Sequence, residues 1–331
     1  MKLGIIGGGS WGTALAVVLA PRFEQIRLWV YEQDLARRMT HTRENDVFLP
    51  GFLLPPNVTI GCDLSTAVVG CAMVLGVMPS RHARRLYQEL RPHLDPATVL
   101  ISATKGLEHD SLLRISEVIY DVIRPRFEPR VAVLSGPTFA REVARDDPTA
   151  VVVASKDPEV ALAVQSACAG TNFRLYTNSD PAGVELGGAL KNVIAIGAGI
   201  CHGLGFGNNS QAALVTRGLA EITRVAVAAG AQPRTLAGLA GLGDLVLTCG
   251  GALSRNRKVG MELAEGRKLA EITSSMRMVA EGVETCDVAV ALGVKYGVDL
   301  PIIQQMHAVL HEAKTPQAAL RDLMERSLKS E

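Results

Sequence analysis

A doubly wound, mainly parallel α/β sheet followed by an all-α domain is the architecture the sequence predicts, and three observations predict it. Strand-like and helix-like stretches alternate through the first half of the chain, a glycine-rich turn follows the first strand, and beyond Asn178 the strand-like runs give way to long helical patterns. The first strand is Leu3-Gly4-Ile5-Ile6. It runs into Gly7-Gly8-Gly9-Ser10-Trp11-Gly12, and Thr13 to Leu19 reads as a helix stopped by Pro21. Strand, G-x-G-x-x-G turn and helix come in the order a dinucleotide site requires: Gly7 for the tight turn, Gly9 for close approach to a pyrophosphate, Gly12 for close helix packing. A Rossmann-type unit is expected, the alternative being a glycine turn in some other α/β unit.

The second strand is Ile26 to Val30, closed by Tyr31 and Glu32, with Glu32 20 residues after Gly12, where a carboxylate would accept ribose hydroxyls. Asp34 to Thr42 is expected as helix, and Asn45 to Pro56, with three prolines and Gly51, as a loop or irregular crossing. Further strands are expected at Met73–Val77, Val99–Ala103, Val131–Leu134, Ala150–Ala154 and Arg174–Tyr176. Helices are expected at Arg81–Arg91, Leu112–Ile123, Thr138–Arg145 and Pro158–Ala167. The boundary is placed after Asn178, giving a dinucleotide-binding domain over 1–178 and a helical substrate domain over 179–331. A helix over Pro181–Cys201 is unusually thin, with Gly187, Gly188, Ala189, Gly197, Ala198 and Gly199, which costs propensity but permits close packing at the domain centre. Leu320 to Glu331 is charged enough to fray.

The chain's 331 residues exceed what one core usually serves, consistent with two domains. Thirty-four Lys and Arg against 33 Asp and Glu leave a net charge of +1, and aromatics are 4%, so neither a phosphate-tracking face nor a base-stacking platform is implied and nucleic acid is not expected as a partner. Six scattered cysteines form no C-x-x-C pair, and no signal peptide is expected ahead of the first strand. A reduced cytoplasm is expected. Apolar stretches such as Asn192–Cys201 are cut by polar residues before the roughly 20 positions a spanning helix needs, so no membrane span is expected.

Lys191 is the only formally charged side chain between Glu185 and the end of its helix. Burial would strip its hydration and lower its pKa, making it a proton donor or acceptor near neutrality; the alternative is a lysine snorkelling to water. Asp244, in Gly241-Leu242-Gly243-Asp244-Leu245-Val246, is either its counter-charge or a cap for the following helix. Ser254-Arg255-Asn256-Arg257-Lys258 precedes the helical run Val259–Ala264, placing a serine cap, a guanidinium and an amide at a helix start that favours anions; a solvated basic face is the alternative. Lys105, Gly136 and Thr138 fall at carboxyl ends of strands, where open α/β sheets bind ligands, although ordinary turns use the same residues. His307 and His311 lie one helical turn apart without a third ligand or an H-E-x-x-H pattern, so they read as exposed helix positions, and no metal is expected.

Taken together these residues resemble the NAD(P)-dependent glycerol-3-phosphate dehydrogenase family over almost the whole chain. The matching stretches are Gly7–Ala16, Arg43-Glu44-Asn45 with Leu49-Pro50-Gly51, Ala103–Glu108, Ser135–Ala140, Gly187–Val193, Gly241–Leu245, Ser254–Arg257 and Val279–Gly282. The resemblance implies reversible reduction of dihydroxyacetone phosphate to sn-glycerol 3-phosphate, a precursor of phospholipids, by a cytoplasmic homodimer. It casts Lys191 as catalytic acid/base held by Asp244. Lys105, Gly136, Thr138, Asn192, Ser254, Arg255 and Asn256 would complete the substrate pocket. Gly7, Gly9, Ser10, Trp11, Gly12, Tyr31, Lys105, Ala140, Arg255, Val279 and Glu281 would bind the cofactor. One departure concerns Tyr31: bacterial members commonly carry a basic residue or histidine there, and its absence beside Glu32 points to NAD over NADP. Two other readings compete, a dehydrogenase for a hydroxy acid or sugar acid and a nicotinamide-binding sensor that no longer turns over. The Ser254–Asn256 group argues against the first and the Lys191–Asp244 pair against the second.

Overall fold

The computed structural model describes residues 1–327, so part of the stretch expected to fray, Leu328 to Glu331, lies outside the described residues. In chain order the strands are β1 Lys2–Ile6, β2 Gln25–Trp29, β3 Glu44–Asn45, β4 Leu49–Leu53, β5 Val58–Gly61, β6 Met73–Gly76, β7 Val99–Ser102, β8 Arg130–Ser135, β9 Thr149–Ala154 and β10 Phe173–Asn178. Between them run the helices α1 Ser10–Leu19, α2 Gln33–Thr42, α3 Leu64–Val68, α4 Ala83–Leu90, α5 Ile115–Ile123, α6 Ala140–Ala144 and α7 Pro158–Cys168. Eight strands form one sheet in the order β10-β9-β8-β7-β6-β1-β2-β5. Neighbouring residues in a strand point to opposite faces, and both faces are covered. Ile5, Leu28, Leu75 and Ile101 pack with Leu15, Leu35 and Val160 on the α1, α2 and α7 side. Ile6, Trp29, Val74 and Leu100 pack with Val68, Leu86 and Ile119 on the α3, α4 and α5 side. Burial on both faces is why these strands read as unbroken apolar runs.

Two features of the sheet depart from expectation. Asn45–Pro56 is not a bare loop: β3 and β4 pair as a short antiparallel ribbon, and β5, absent from the expected strands, then adds parallel to β2 at the edge. The other concerns direction. β6 through β8 pair in parallel, but β9 pairs antiparallel with β8 and carries β10 with it. The β8 to β9 connection contains only the five-residue α6, which packs on α1 instead of covering the strand it left. Without a full crossover helix the chain re-enters the sheet beside β8 reversed, whereas α7 supplies the crossover that keeps β9 and β10 parallel.

The second half contains α8 Pro181–Gly203, α9 Asn208–Ala228, α10 Pro233–Leu236, a π-helical turn at Leu239–Gly243, α11 Asp244–Gly250, α12 Arg255–Ala264, α13 Leu269–Ser275, α14 Glu281–Tyr296, α15 Pro301–His311 and α16 Pro316–Met324. α8 is the axis of this half. Asp180 caps it, accepting from the Gly183 N–H at 2.9 Å. Its small residues serve close approach: a β-carbon on Gly199 would stand 2.0 Å from the Arg257 carbonyl oxygen, and one on Gly260 1.9 Å from that of Ile196, so α8 and α12 touch backbone to backbone. By length and a mean hydropathy of 1.4 α8 could cross a membrane, which the sequence reading did not allow for, yet all of that apolar window is buried inside the protein. Glu185, near its start, joins it to the first half. The carboxylate accepts from Arg114 at 2.9 Å and from the Ser116 N–H at 2.8 Å. Removing one partner of such a buried pair costs about 3–5 kcal/mol, so the contact ties α8 to the first half.

Candidate active site

The cleft between the halves begins at the glycine turn. Gly7 has φ 131°, a backbone conformation that favours glycine, and a β-carbon on Gly12 would lie 1.9 Å from the Gly7 carbonyl oxygen. Gly9 precedes the first residue of α1. No side chain caps that helix start, and a β-carbon on Gly9 would meet nothing within 4 Å. Open space, uncapped N–H groups and a helix dipole make this a cradle for a diphosphate. The indole Nε1 of Trp11 is buried there without a protein partner. These residues fit the diphosphate of a dinucleotide. Tyr31 and Glu32, directly after β2, line the same cleft; Tyr31 is 65% exposed and sets its edge on Trp29 with ring centroids 6.0 Å apart.

The cleft measures about 750 Å³. From the sheet side it is walled by the ends of β1, β2, β6, β7 and β8, and from the helical side by α8, α11, α12 and the start of α14. Seven cationic side chains and three carboxylates border it, in a chain whose net charge is +1, so positive potential is concentrated where anionic ligands would enter.

At its floor lies Lys191, in the middle of α8 and 5% exposed. Its Nζ donates to Asp244 Oδ1 and, at 2.7 Å, to Thr248 Oγ1. Asp244 opens α11 and Thr248 sits one turn later, so both face α8 together. The Thr248 hydroxyl hydrogen is committed to the Asp244 carbonyl oxygen at 2.6 Å. Asp244 Oδ2 accepts from Lys105 Nζ at 2.8 Å, and Lys105 also donates to the Gly136 carbonyl oxygen at 2.8 Å and to Thr138 Oγ1 at 3.0 Å. Burial pushes the Lys191 ammonium down to about 7; Asp244 opposes this and Lys105 adds to it.

α12 contributes the opposite wall. Ser254 caps it, accepting from the Arg257 N–H at 3.2 Å, and Arg255 occupies the first helical position. Burial lowers the Arg255 pKa, partly offset by Glu281. Glu281 is pushed up to about 7, again by burial, although Ser80 donates to its Oε2 at 3.0 Å. Asn256 is occupied internally. Its Nδ2 donates to Asn192 Oδ1 at 2.9 Å and its Oδ1 accepts from the Gly282 N–H at 2.9 Å, which ties α12 to α8 and α14.

Every residue that the family resemblance assigns to substrate or cofactor lines this cleft except Gly12 and Gly136. Gly12 is turned into the helix–strand contact, and Gly136 takes part through its carbonyl oxygen. Thr248 was missed; its signal is its place four residues after Asp244 on one helix, hence on the same face. Arg277 and Arg141 also border the cleft without having been anticipated. His307 and His311 are not simply exposed: both Nε2 atoms approach Asp287 Oδ1, at 3.3 and 3.2 Å, because α14 packs on α15. Among the described residues no group of three or more His, Cys, Asp or Glu is arranged to hold a metal.

Comparison with known proteins identifies the family. Residues 2–161 match the family described as NAD-dependent glycerol-3-phosphate dehydrogenase N-terminus, and residues 180–321 its C-terminus. A protein of Koribacter versatilis named glycerol-3-phosphate dehydrogenase (NAD(P)+) is 56% identical over 98% of this chain and 97% of its own length. One of the same name from Geobacter sp. is 52% identical over 100% and 98%. Among solved structures, a glycerol-3-phosphate dehydrogenase of Coxiella burnetii superposes with a TM-score of 0.94 at 39% identity, covering 98% of this chain and 99% of that one. A 2-dehydropantoate 2-reductase of Bacillus subtilis, with TM-score 0.59, 13% identity and coverage of 95% and 100%, shares the fold alone.

Proposed function

The chain belongs to the NAD-dependent glycerol-3-phosphate dehydrogenase family, and we propose that it interconverts dihydroxyacetone phosphate and sn-glycerol 3-phosphate with NAD(P)H, in supply of glycerophospholipid synthesis. The observation that carries this reading is the Lys191–Asp244 pair at the floor of a cleft that has the glycine turn on one side and the Arg255 helix start on the other. We divide the labour at the turn between β10 and α8, with 1–178 holding the dinucleotide and 179–331 most of the substrate.

Gly7, Gly9, Ser10 and Trp11 would hold the dinucleotide diphosphate, with Tyr31, Ala140, Val279 and Glu281 along the rest of it. When bound, the nicotinamide supplies the hydride. The protein's task is the proton. As the ketone carbon is reduced, negative charge grows on its oxygen, and Lys191 Nζ gives that oxygen a proton; in the reverse direction the neutral amine takes the proton from the alcohol. A lysine titrating at about 7 is matched to both directions near neutral pH. Asp244 and Thr248 fix the Nζ position, and burial keeps competing water away. Arg255, Ser254 and the first N–H groups of α12 would bind the phosphate, with Lys105, Thr138 and Asn192 at the three-carbon body. Binding energy from the phosphate, remote from the reacting carbon, fixes orientation.

NAD is the favoured cofactor in this reading. Tyr31 offers no cation to a 2′-phosphate, and the neighbouring Glu32 would repel one while accepting ribose hydroxyls. Six free cysteines suit a reducing compartment, and we infer a cytoplasmic homodimer, which light scattering would report at twice the chain mass.

One set of assays tests the proposal: NADH oxidation with dihydroxyacetone phosphate, with unphosphorylated dihydroxyacetone, and with NADPH in place of NADH. Activity on the phosphorylated ketone alone, with higher kcat/KM for NADH, is expected. Equal activity on both ketones removes the phosphate clamp, and equal or better efficiency with NADPH removes the cofactor preference.

A further inference from the structure

Asp244 offers two carboxylate oxygens, and the fold gives each to a different lysine. Oδ1 meets Lys191 and Oδ2 meets Lys105 at 2.8 Å, while the side chains of Asp244, Lys191 and Lys105 are 1%, 6% and 16% exposed. One carboxylate offsets only one of two largely buried ammoniums. The trio therefore holds a surplus positive charge, which favours the loss of one proton. The partners decide which proton is lost. Lys105 has three acceptors for its three N–H groups: Asp244 Oδ2, the Gly136 carbonyl oxygen and Thr138 Oγ1. Lys191 has Asp244 Oδ1 and one neutral hydroxyl, Thr248 Oγ1, and is the more deeply buried. Lys105 is thus the better anchored cation and Lys191 the readier donor.

We propose that Lys105, beyond any contact with substrate, is a positioning residue for proton transfer: by occupying Asp244 Oδ2 it divides the carboxylate between two cations and keeps Lys191 ready to release its proton. This rests on the reading of Lys191 as the acid/base. The titratable and charged groups facing Lys191 are Asp244 and the Cys249 thiol from α11 and Lys105 from the loop after β7. Arg255 of α12 and Glu281 of α14 line the same cleft. Were Lys105 neutral, Asp244 would serve Lys191 alone, and the ammonium would hold its proton to higher pH.

The test is the pH dependence of kcat/KM for glycerol 3-phosphate oxidation with NAD, in the native protein, Lys105→Met and Lys105→Arg. Oxidation needs neutral Lys191, so the rate rises with pH through its titration. In Lys105→Met that rise is expected to move alkaline by about one pH unit or more, the usual effect of removing a neighbouring like charge, whatever happens to KM. Lys105→Arg keeps the charge and is expected to keep the native midpoint. Competitive acetylation of Lys191 across pH, read by mass spectrometry, follows the same titration without requiring turnover. A Lys105→Met midpoint that coincides with the native one, or an arginine variant that shifts as far as the methionine variant, overturns the proposal. Native protein that fails to oxidise NADH with dihydroxyacetone phosphate sinks instead the reading of the site, and the acetylation titration still reports whether Lys105 governs Lys191.

Discussion

Gly12 lies so close to Gly7 that a β-carbon on it would stand 1.9 Å from the Gly7 carbonyl oxygen. The glycine turn and the helix that follows it are thereby locked to one another. Gly12→Ala must push α1 off β1. Overpacking of this kind costs about 1–3 kcal/mol and occasionally more, and it displaces the N–H groups from the cleft. A lower Tm and NADH affinity weakened by about tenfold or more, by fluorescence titration, are the expected results. Native stability together with native affinity would show that the turn does not depend on this contact.

Arg255 stands at the first position of α12, where its side chain lines the cleft. Losing a charge-assisted contact to the substrate phosphate removes about 1.5–3 kcal/mol, so Arg255→Ala should raise KM for dihydroxyacetone phosphate roughly 10- to 100-fold. Turnover falls less if the contact is uniform between ground and transition states. An unchanged KM would place the phosphate elsewhere.

Glu221 of α9 is buried against the start of α15, where it accepts from the N–H groups of Ile302 and Ile303 at 2.8 and 3.2 Å. Burial raises its pKa from 4.5 to about 7. Between those values the folded chain holds a proton that the unfolded chain has lost. Stability contributed by this group is therefore present below the lower value and declines as pH rises through the upper one. Against Glu221→Gln, the native protein should lose relative stability over this window by on the order of 1–3 kcal/mol, in urea unfolding at a series of pH values, and the difference should then level off. A difference that stays constant throughout means the carboxyl titrates normally in the fold.

Much of this molecule could be read from its residues, and the parts that could not share a physical cause. The strands from β1 to β10 flanked by good helices were visible because burial on both faces makes them apolar runs. β5 is only four residues long and follows a proline-rich stretch, so no periodicity marks it. The reversal of β9 depends on α6 packing against α1, a tertiary choice that local pattern does not encode. At the site, lone charges in apolar surroundings, Lys191 and Asp244, stood out. Their connection to Lys105 spans 139 residues of chain and is written only in how the loop after β7 docks on α11. Thr248 was within reach of helical spacing once Asp244 was placed at a helix start. Asn256 looked like a ligand and also serves as a brace, since an amide's spare donors and acceptors leave no trace in sequence.

Turnover of Lys191→Met, measured beside its dinucleotide affinity, bears most directly on the account. Methionine fills the buried volume without a proton to give, so kcat should fall by about 10²–10⁴, the range for a lost acid/base group, while the NADH dissociation constant stays close to native. Near-native turnover in that variant would contradict the assignment of proton transfer to Lys191.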